Sequence, residues 1–139
     1  MDKIVVKVKL WNFGDEIDAN KGRIKEEEIR KWEGEAVVDT GATMLVISEK
    51  LSNQLGLLRG RNVKVTYGNG KSEEKNVATG IRVEIMGRDG TFDALIEPEG
   101  KEILIGQIVL ERLDLIADSK KGVLRPRPES PDIPLIEVY

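Results

Sequence analysis

Asp39-Thr40-Gly41-Ala42 sits between two apolar runs, Ala36-Val37-Val38 before it and Met44-Leu45-Val46-Ile47 after it. The pattern puts a carboxylate at the end of a buried strand, where the chain must turn sharply on a glycine. A charge in that place is costly unless it is hydrogen-bonded, paired, or able to share a proton with a like group. Asp39 is therefore the first candidate for chemistry in this chain.

Composition narrows what that chemistry can be. The 139 residues include no histidine and no cysteine. This removes imidazole bases, His-bearing triads, thiolate nucleophiles and the usual nitrogen and sulfur metal ligands together. Carboxylates, lysine and tyrosine remain. The 22 basic and 25 acidic side chains nearly cancel and neither sign forms a long block, so no phosphate-tracking surface for nucleic acid is expected. The first ten residues alternate apolar and charged positions and contain no unbroken apolar segment, which predicts no signal peptide and no membrane span, and a cytoplasmic location. The length suits one domain that buries about two-thirds of its unfolded surface. With few aromatics, its core falls to Val, Ile and Leu, residues that favour strands.

Along the chain, residues 5–10 read as a first strand. Residues 15–31, with Asp18-Ala19-Asn20-Lys21-Gly22 and Glu26-Glu27-Glu28, read as a long polar hairpin arm whose acidic run is a solvated face. Strands follow at 32–39 and 44–47, then a short helix capped by Ser48, with Leu51 and Leu55 on one face and Gly56 as its left-handed stop. Val63-Lys64-Val65-Thr66-Tyr67 and residues 73–78 flank Gly68-Asn69-Gly70-Lys71 as a hairpin with a mobile tip. The fragment Gly70-Lys71-Ser72 is no phosphate loop, since Val65 stands where the leading glycine belongs and no helix pattern follows. A second hairpin spans 81–86 and 91–96 around Gly87-Arg88-Asp89-Gly90. Ile103-Leu104-Ile105-Gly106 is a short apolar strand, residues 107–113 one or two helical turns, and residues 115–118 with 123–124 a further hairpin. The proline-punctuated segment from Pro126 leads to Leu135-Ile136-Glu137-Val138-Tyr139, an edge or exchanged strand. About eight short strands and two short helices imply a mostly β, barrel-like domain.

This order of parts resembles the retropepsin-like aspartic proteases, and more closely their small prokaryotic, single-lobe branch. The resemblance rests on Val38-Asp39-Thr40-Gly41-Ala42, on Leu55-Gly56-Leu57 after the helix, and on Leu104-Ile105-Gly106 followed by Leu110-Glu111-Arg112-Leu113-Asp114-Leu115. It covers roughly residues 5–124. It implies a mostly β, acid-protease-like single-lobe closed β-barrel with one or two short helices that forms a two-fold homodimer, with the protease domain at 1–125 and a Pro-rich C-terminal edge or interface segment at 126–139. It implies that Asp39 is catalytic, supported by Thr40, Gly41 and Ala42. Tyr67, Gly68, Asn69 and Gly70 would be a flap over the substrate, and Ile105 and Gly106 would pack beside the aspartate loop. No cofactor or metal is implied.

Enzymes of this kind hydrolyse peptide bonds with two aspartates that hold a water between them, one acting as base and the other protonated. One chain offers one such aspartate, because neither Arg88-Asp89-Gly90-Thr91 nor Asp118-Ser119-Lys120 repeats the pattern. The second must come from another copy. At about 3 Å and an effective dielectric near 20, two carboxylates repel by roughly 5 to 6 kcal/mol, so the pair keeps one proton. The partners implied are a second copy and a peptide or protein substrate in extended conformation, with no nucleic acid and no membrane. Two other readings stand beside the protease: a catalytically inactive dimerisation or peptide-binding module of the same fold, and a carboxylate metal-binding protein.

Overall fold

Alternation of apolar and charged residues sets the first strand, Ile4–Asn12 (β1), with Ile4, Val8 and Leu10 buried and Lys7 and Lys9 exposed. The computed structural model describes residues 3–138; Met1, Asp2 and Tyr139 lie outside the described residues. After β1 come a helix, Phe13–Asn20 (α1), a single 3-10 turn at Glu26–Glu28, and strand Lys31–Val38 (β2). Leu45–Ser48 (β3), Glu49–Gln54 (α2), Leu58–Thr66 (β4), Ser72–Ile85 (β5) and Arg88–Glu97 (β6) follow. Leu104–Ile105 (β7), Gln107–Leu113 (α3), Leu115–Asp118 (β8) and Val123–Pro126 (β9) complete the described elements.

Six strands close into a barrel in the order β1-β2-β7-β3-β6-β5, and β5 returns to β1 through Lys9↔Glu84 to Asn12↔Ile81. β4 lies outside the ring on β5, and β8 with β9 forms a separate two-stranded sheet. The barrel interior is aliphatic, filled by residues such as Leu10, Leu45, Ile47, Ile81, Ile85, Ile96 and Ile105, with Leu51 of α2, Leu55 just after it, and Val109, Leu110 and Leu113 of α3. The expected mostly β architecture and closed barrel are present, with three short α-helices rather than one or two.

The polar stretch at 15–31 is not a hairpin arm. Asn12 caps α1 by accepting from the Asp15 N–H at 2.9 Å, and Asp15 and Glu16 sit in the first turn, where the helix dipole favours them. Asp15 is buried because it meets Arg30: its Oδ2 accepts from the Arg30 backbone N–H and Nε, and its Oδ1 from Nη2, all at 2.9 Å. Asn12 also donates to the Leu55 and Gly56 carbonyls, tying α1 to the end of α2. These long-range bonds select a helix where local composition suggests a turn. The acidic run Glu26–Glu28 is exposed.

Two further boundaries differ. The strands expected at 73–78 and 81–86 are one strand, β5, that bends at Gly80, where φ is +75° and the pairing registers shift. The hairpin around Gly87 is tighter than expected, because Met86 and Gly87 both take positive φ (53° and 77°) and β6 begins at Arg88. Ser48 and Gly56 act as expected: the Ser48 hydroxyl accepts from the Leu51 N–H at 3.1 Å, and Gly56 has φ +62°.

Residues 135–138 form no strand in the described chain. What precedes them is fixed to the barrel by a buried polar node. The Asp114 carboxylate accepts from the Ser130 hydroxyl and from the Leu135 N–H at 3.0 Å, and Arg88 donates to the Leu113, Asp114 and Ser130 carbonyls. Ile133, between Ser130 and Leu135, and Ile136 and Val138 after them are exposed.

The Arg30 side-chain hydrogen bonds hold the Asp15 carboxyl below the ordinary carboxylate range, against the opposing effect of burial. The folded protein thus takes up that proton less readily than the unfolded chain. The resulting stability is fully present above the unfolded value near pH 4 and is lost as pH falls through the folded value. Asp15→Asn should lower the unfolding free energy by about 2 kcal/mol near neutral pH, and the deficit should shrink in urea titrations repeated at about pH 3.

Candidate active site

Asp39 follows β2 directly, and its place is set by β7. This two-residue strand lies between β2 and β3, parallel to the first (Val37↔Leu104, Val38↔Ile105) and antiparallel to the second (Val46↔Leu104). The Val37 N–H donates to the Ile103 carbonyl at 2.8 Å and the Asp39 N–H to the Ile105 carbonyl at 3.0 Å. The loop then closes on itself, with the Ala42 N–H on the Asp39 carbonyl at 3.1 Å and the Gly41 N–H on Asp39 Oδ1 at 2.9 Å. A backbone N–H donating to the carboxylate oxygen thus fixes Asp39 at the strand end.

The start of α3 completes the frame. Its free N–H groups reach back into the acid loop, Gln107 to the Ala42 carbonyl at 2.9 Å and Ile108 to the Thr43 carbonyl at 3.0 Å. The Gln107 side chain donates to the Thr40 carbonyl at 3.1 Å. Gly106 is required at this crossing, since a Cβ there would lie 2.4 Å from the Met44 carbonyl oxygen and 2.7 Å from that of Ala42. Ile105 is fully buried in the barrel core.

Asp39 is half-buried and borders two clefts. One, of about 410 Å³, runs past Thr40, Val37, Leu104 and Ser119. The other, of about 700 Å³, lies between the barrel wall and the β4–β5 hairpin. Its floor is the outer face of the barrel, where Val46, Val77 and Leu95 are buried with Met44 and Leu104 beside them, and Val63 and Val65 of β4 pack onto it. Tyr67 and Gly68 of the hairpin tip line the same groove as Asp39. The tip is a tight turn: Gly70 N–H donates to the Tyr67 carbonyl, Tyr67 N–H to the Lys71 carbonyl, and Asn69 Oδ1 accepts from the Lys71 N–H. Gly70 has φ +83°, while Asn69 and Gly70 are exposed at the outer end.

The acid loop (Thr40, Gly41, Ala42) and Ile105-Gly106 thus frame Asp39, and Tyr67 and Gly68 share a cleft with it, while Asn69 and Gly70 do not line that cleft. Sequence reasoning missed Gln107, which braces Thr40, and Glu97, which enters the groove from the end of β6. It also missed the apolar floor. Val46 and Leu95 read as interior residues, and only the alternation within Leu45-Val46-Ile47 and Ala94-Leu95-Ile96 reveals an outward-facing member. The other acidic candidates are engaged elsewhere: Asp89 pairs with Arg82, and Asp118 accepts from the Lys121 N–H at 3.1 Å and from Arg125 Nε at 3.3 Å. Among the described residues no group of three or more acidic side chains is placed to hold a metal ion.

Residues 26–112 match a family described as gag-polyprotein putative aspartyl protease. The chain belongs to this family of retroviral-type aspartyl proteases. The matched segment runs from the 3-10 turn into α3 and holds the acid loop, β7 and the β4–β5 hairpin, while β1, α1, β8 and β9 lie outside it, although Ile4 of β1 and Ala117 of β8 line one of the clefts at Asp39. No curated protein matches the chain. No helix among the described residues of this aspartyl protease family member is long and apolar enough to cross a membrane.

Gly106→Ala should force the Met44 and Ala42 carbonyls apart and cost about 3 kcal/mol or more. Thermal unfolding followed by circular dichroism checks this.

Proposed function

We propose that the protein is an aspartic endopeptidase that works as a homodimer, with Asp39 of each copy sharing one water and one proton. The observation that carries this reading is the Asp39 carboxylate, held by the Gly41 N–H at a strand end and opening onto two clefts. One chain supplies one such group. In the dimer the ionised Asp39 takes a proton from the water as it attacks the peptide carbonyl, and the protonated Asp39 donates to the developing oxyanion. The catalytic pair then passes its proton to the leaving nitrogen. Thr40 stands beside Asp39 at an exposed rim, suited to a hydrogen bond across the two-fold axis.

The hairpin carrying Tyr67, Gly68, Asn69 and Gly70 serves as the flap, and the groove beneath it receives the peptide as an extended strand. The aliphatic lining from Val46, Leu95, Leu104, Val63 and Val65 favours an apolar side chain next to the scissile bond. The tail at 126–139, with exposed Ile133, Ile136 and Val138, is proposed to join the partner's surface. A second reading, a peptide-binding module without turnover, draws support from the polar flap tip at Asn69 and Lys71, both exposed.

Incubation with unfolded protein substrates should give cleavage that falls at both acidic and alkaline extremes, because the pair must hold one proton. Asp39→Asn should reduce the rate by about a hundredfold to ten-thousandfold. Equal cleavage by the variant ends the protease reading, and peptide binding without cleavage in the wild type favours the module. Truncation before Pro131 should shift the protein toward monomer in sedimentation velocity, and an unchanged dimer removes the tail from the interface.

A further inference from the structure

Glu97 shares the groove with Asp39, yet activation of water requires nothing of it. It stands at the end of β6, paired with Ser48 of β3 across the barrel wall, with its side chain 29% exposed. Its Oε1 accepts from the Tyr67 hydroxyl at 3.3 Å, and its Oε2 lies 3.4 Å from Lys75 Nζ. Tyr67 belongs to the hairpin tip and Lys75 to β5. Lys75 also pairs with Glu73 at 2.9 Å on the same strand. Two donors on the flap therefore meet one acceptor on the barrel, and Glu73 keeps the lysine aimed.

The flap otherwise rests on the barrel through Val63 and Val65 against Val46, Leu95 and Leu104. Such contacts are non-directional and permit sliding, whereas a hydrogen bond to a carboxylate fixes position. Lys75 is mostly covered, with 13% of its side chain exposed. Its bond to Glu73, and then the charge of Glu97, hold it protonated despite that burial. Burial first, and the Glu97 charge second, raise the Tyr67 hydroxyl above its ordinary value, so it stays a donor.

We propose that Glu97 is a flap-positioning residue, which with Tyr67 and Lys75 forms a latch holding the β4–β5 hairpin in register over the groove. The significance of this latch for substrate rests on the protease reading above; the latch itself does not. Loss of one such bond shifts the closed-to-open ratio of the hairpin by about threefold to tenfold.

Amide hydrogen exchange across residues 63–78 tests it in Tyr67→Phe, Glu97→Gln and the double variant, alongside wild type. Each single variant should speed exchange in this segment by about threefold to tenfold while the barrel amides of β1 and β2 keep their wild-type rates. The double variant should fall short of the sum of the two single changes, because the Tyr67–Glu97 bond is common to both, while Glu97→Gln also removes the charge that faces Lys75. In peptide cleavage the same variants should raise KM by a similar factor without lowering kcat. Wild-type exchange rates in the hairpin, additive effects in the double variant, or acceleration spread equally over the barrel would each overturn the latch. If the wild type cleaves nothing, the protease reading fails and the exchange data still decide the latch.

Discussion

Backbone crowding where β7 meets the acid loop governs the rest of the structure. At Gly106 the Met44 and Ala42 carbonyls occupy the space a side chain would need, and the same crossing lets the open N–H groups of α3 find the loop carbonyls they require. The helix start and the acid loop satisfy each other's unpaired polar groups. Because those bonds are made by backbone, the loop shape does not depend on long, adjustable side chains. A short strand wedged between β2 and β3 therefore gives Asp39 a rigid seat.

The barrel wall beside that seat is apolar on both faces. Inside, Leu45, Ile47, Ala94 and Ile96 join the main core, while outside, Val46 and Leu95 carry the hairpin. Covering by the hairpin is what makes the outer face a groove. Two carboxylates enter that apolar setting in company: Asp39 with the Gly41 N–H, and Glu97 with Tyr67 and Lys75.

Much of this was legible in the residues. The apolar runs around Asp39, the Ser48 cap, the Gly56 stop and the Gly70 turn are local signals, and each holds in the fold. The helix α1 was missed although its Asn12 cap is a local signal, because the bonds that decide for the helix, Asp15 to Arg30 and Asn12 to Leu55, join residues far apart along the chain. The continuity of β5 through Gly80 was hidden for a related reason: a glycine between two apolar stretches marks a break or a bend equally well, and only pairing with both β1 and β4 decides for the bend. Glu97 looked like loop material ahead of Pro98, and its neighbours in space, Tyr67 and Lys75, are far from it along the chain.

β5 is also two things at once, a stave of the barrel over residues 77–85, where it pairs with β6, and the shaft of a projecting arm over residues 72–76, where it pairs with β4 alone. An arm clamped at one end behaves as a cantilever: the root inherits the stiffness of its mounting, and displacement grows toward the free end. Rocking at the mount is amplified toward the tip, so the Tyr67 bond to Glu97, near the far end, restrains the arm with the greatest leverage.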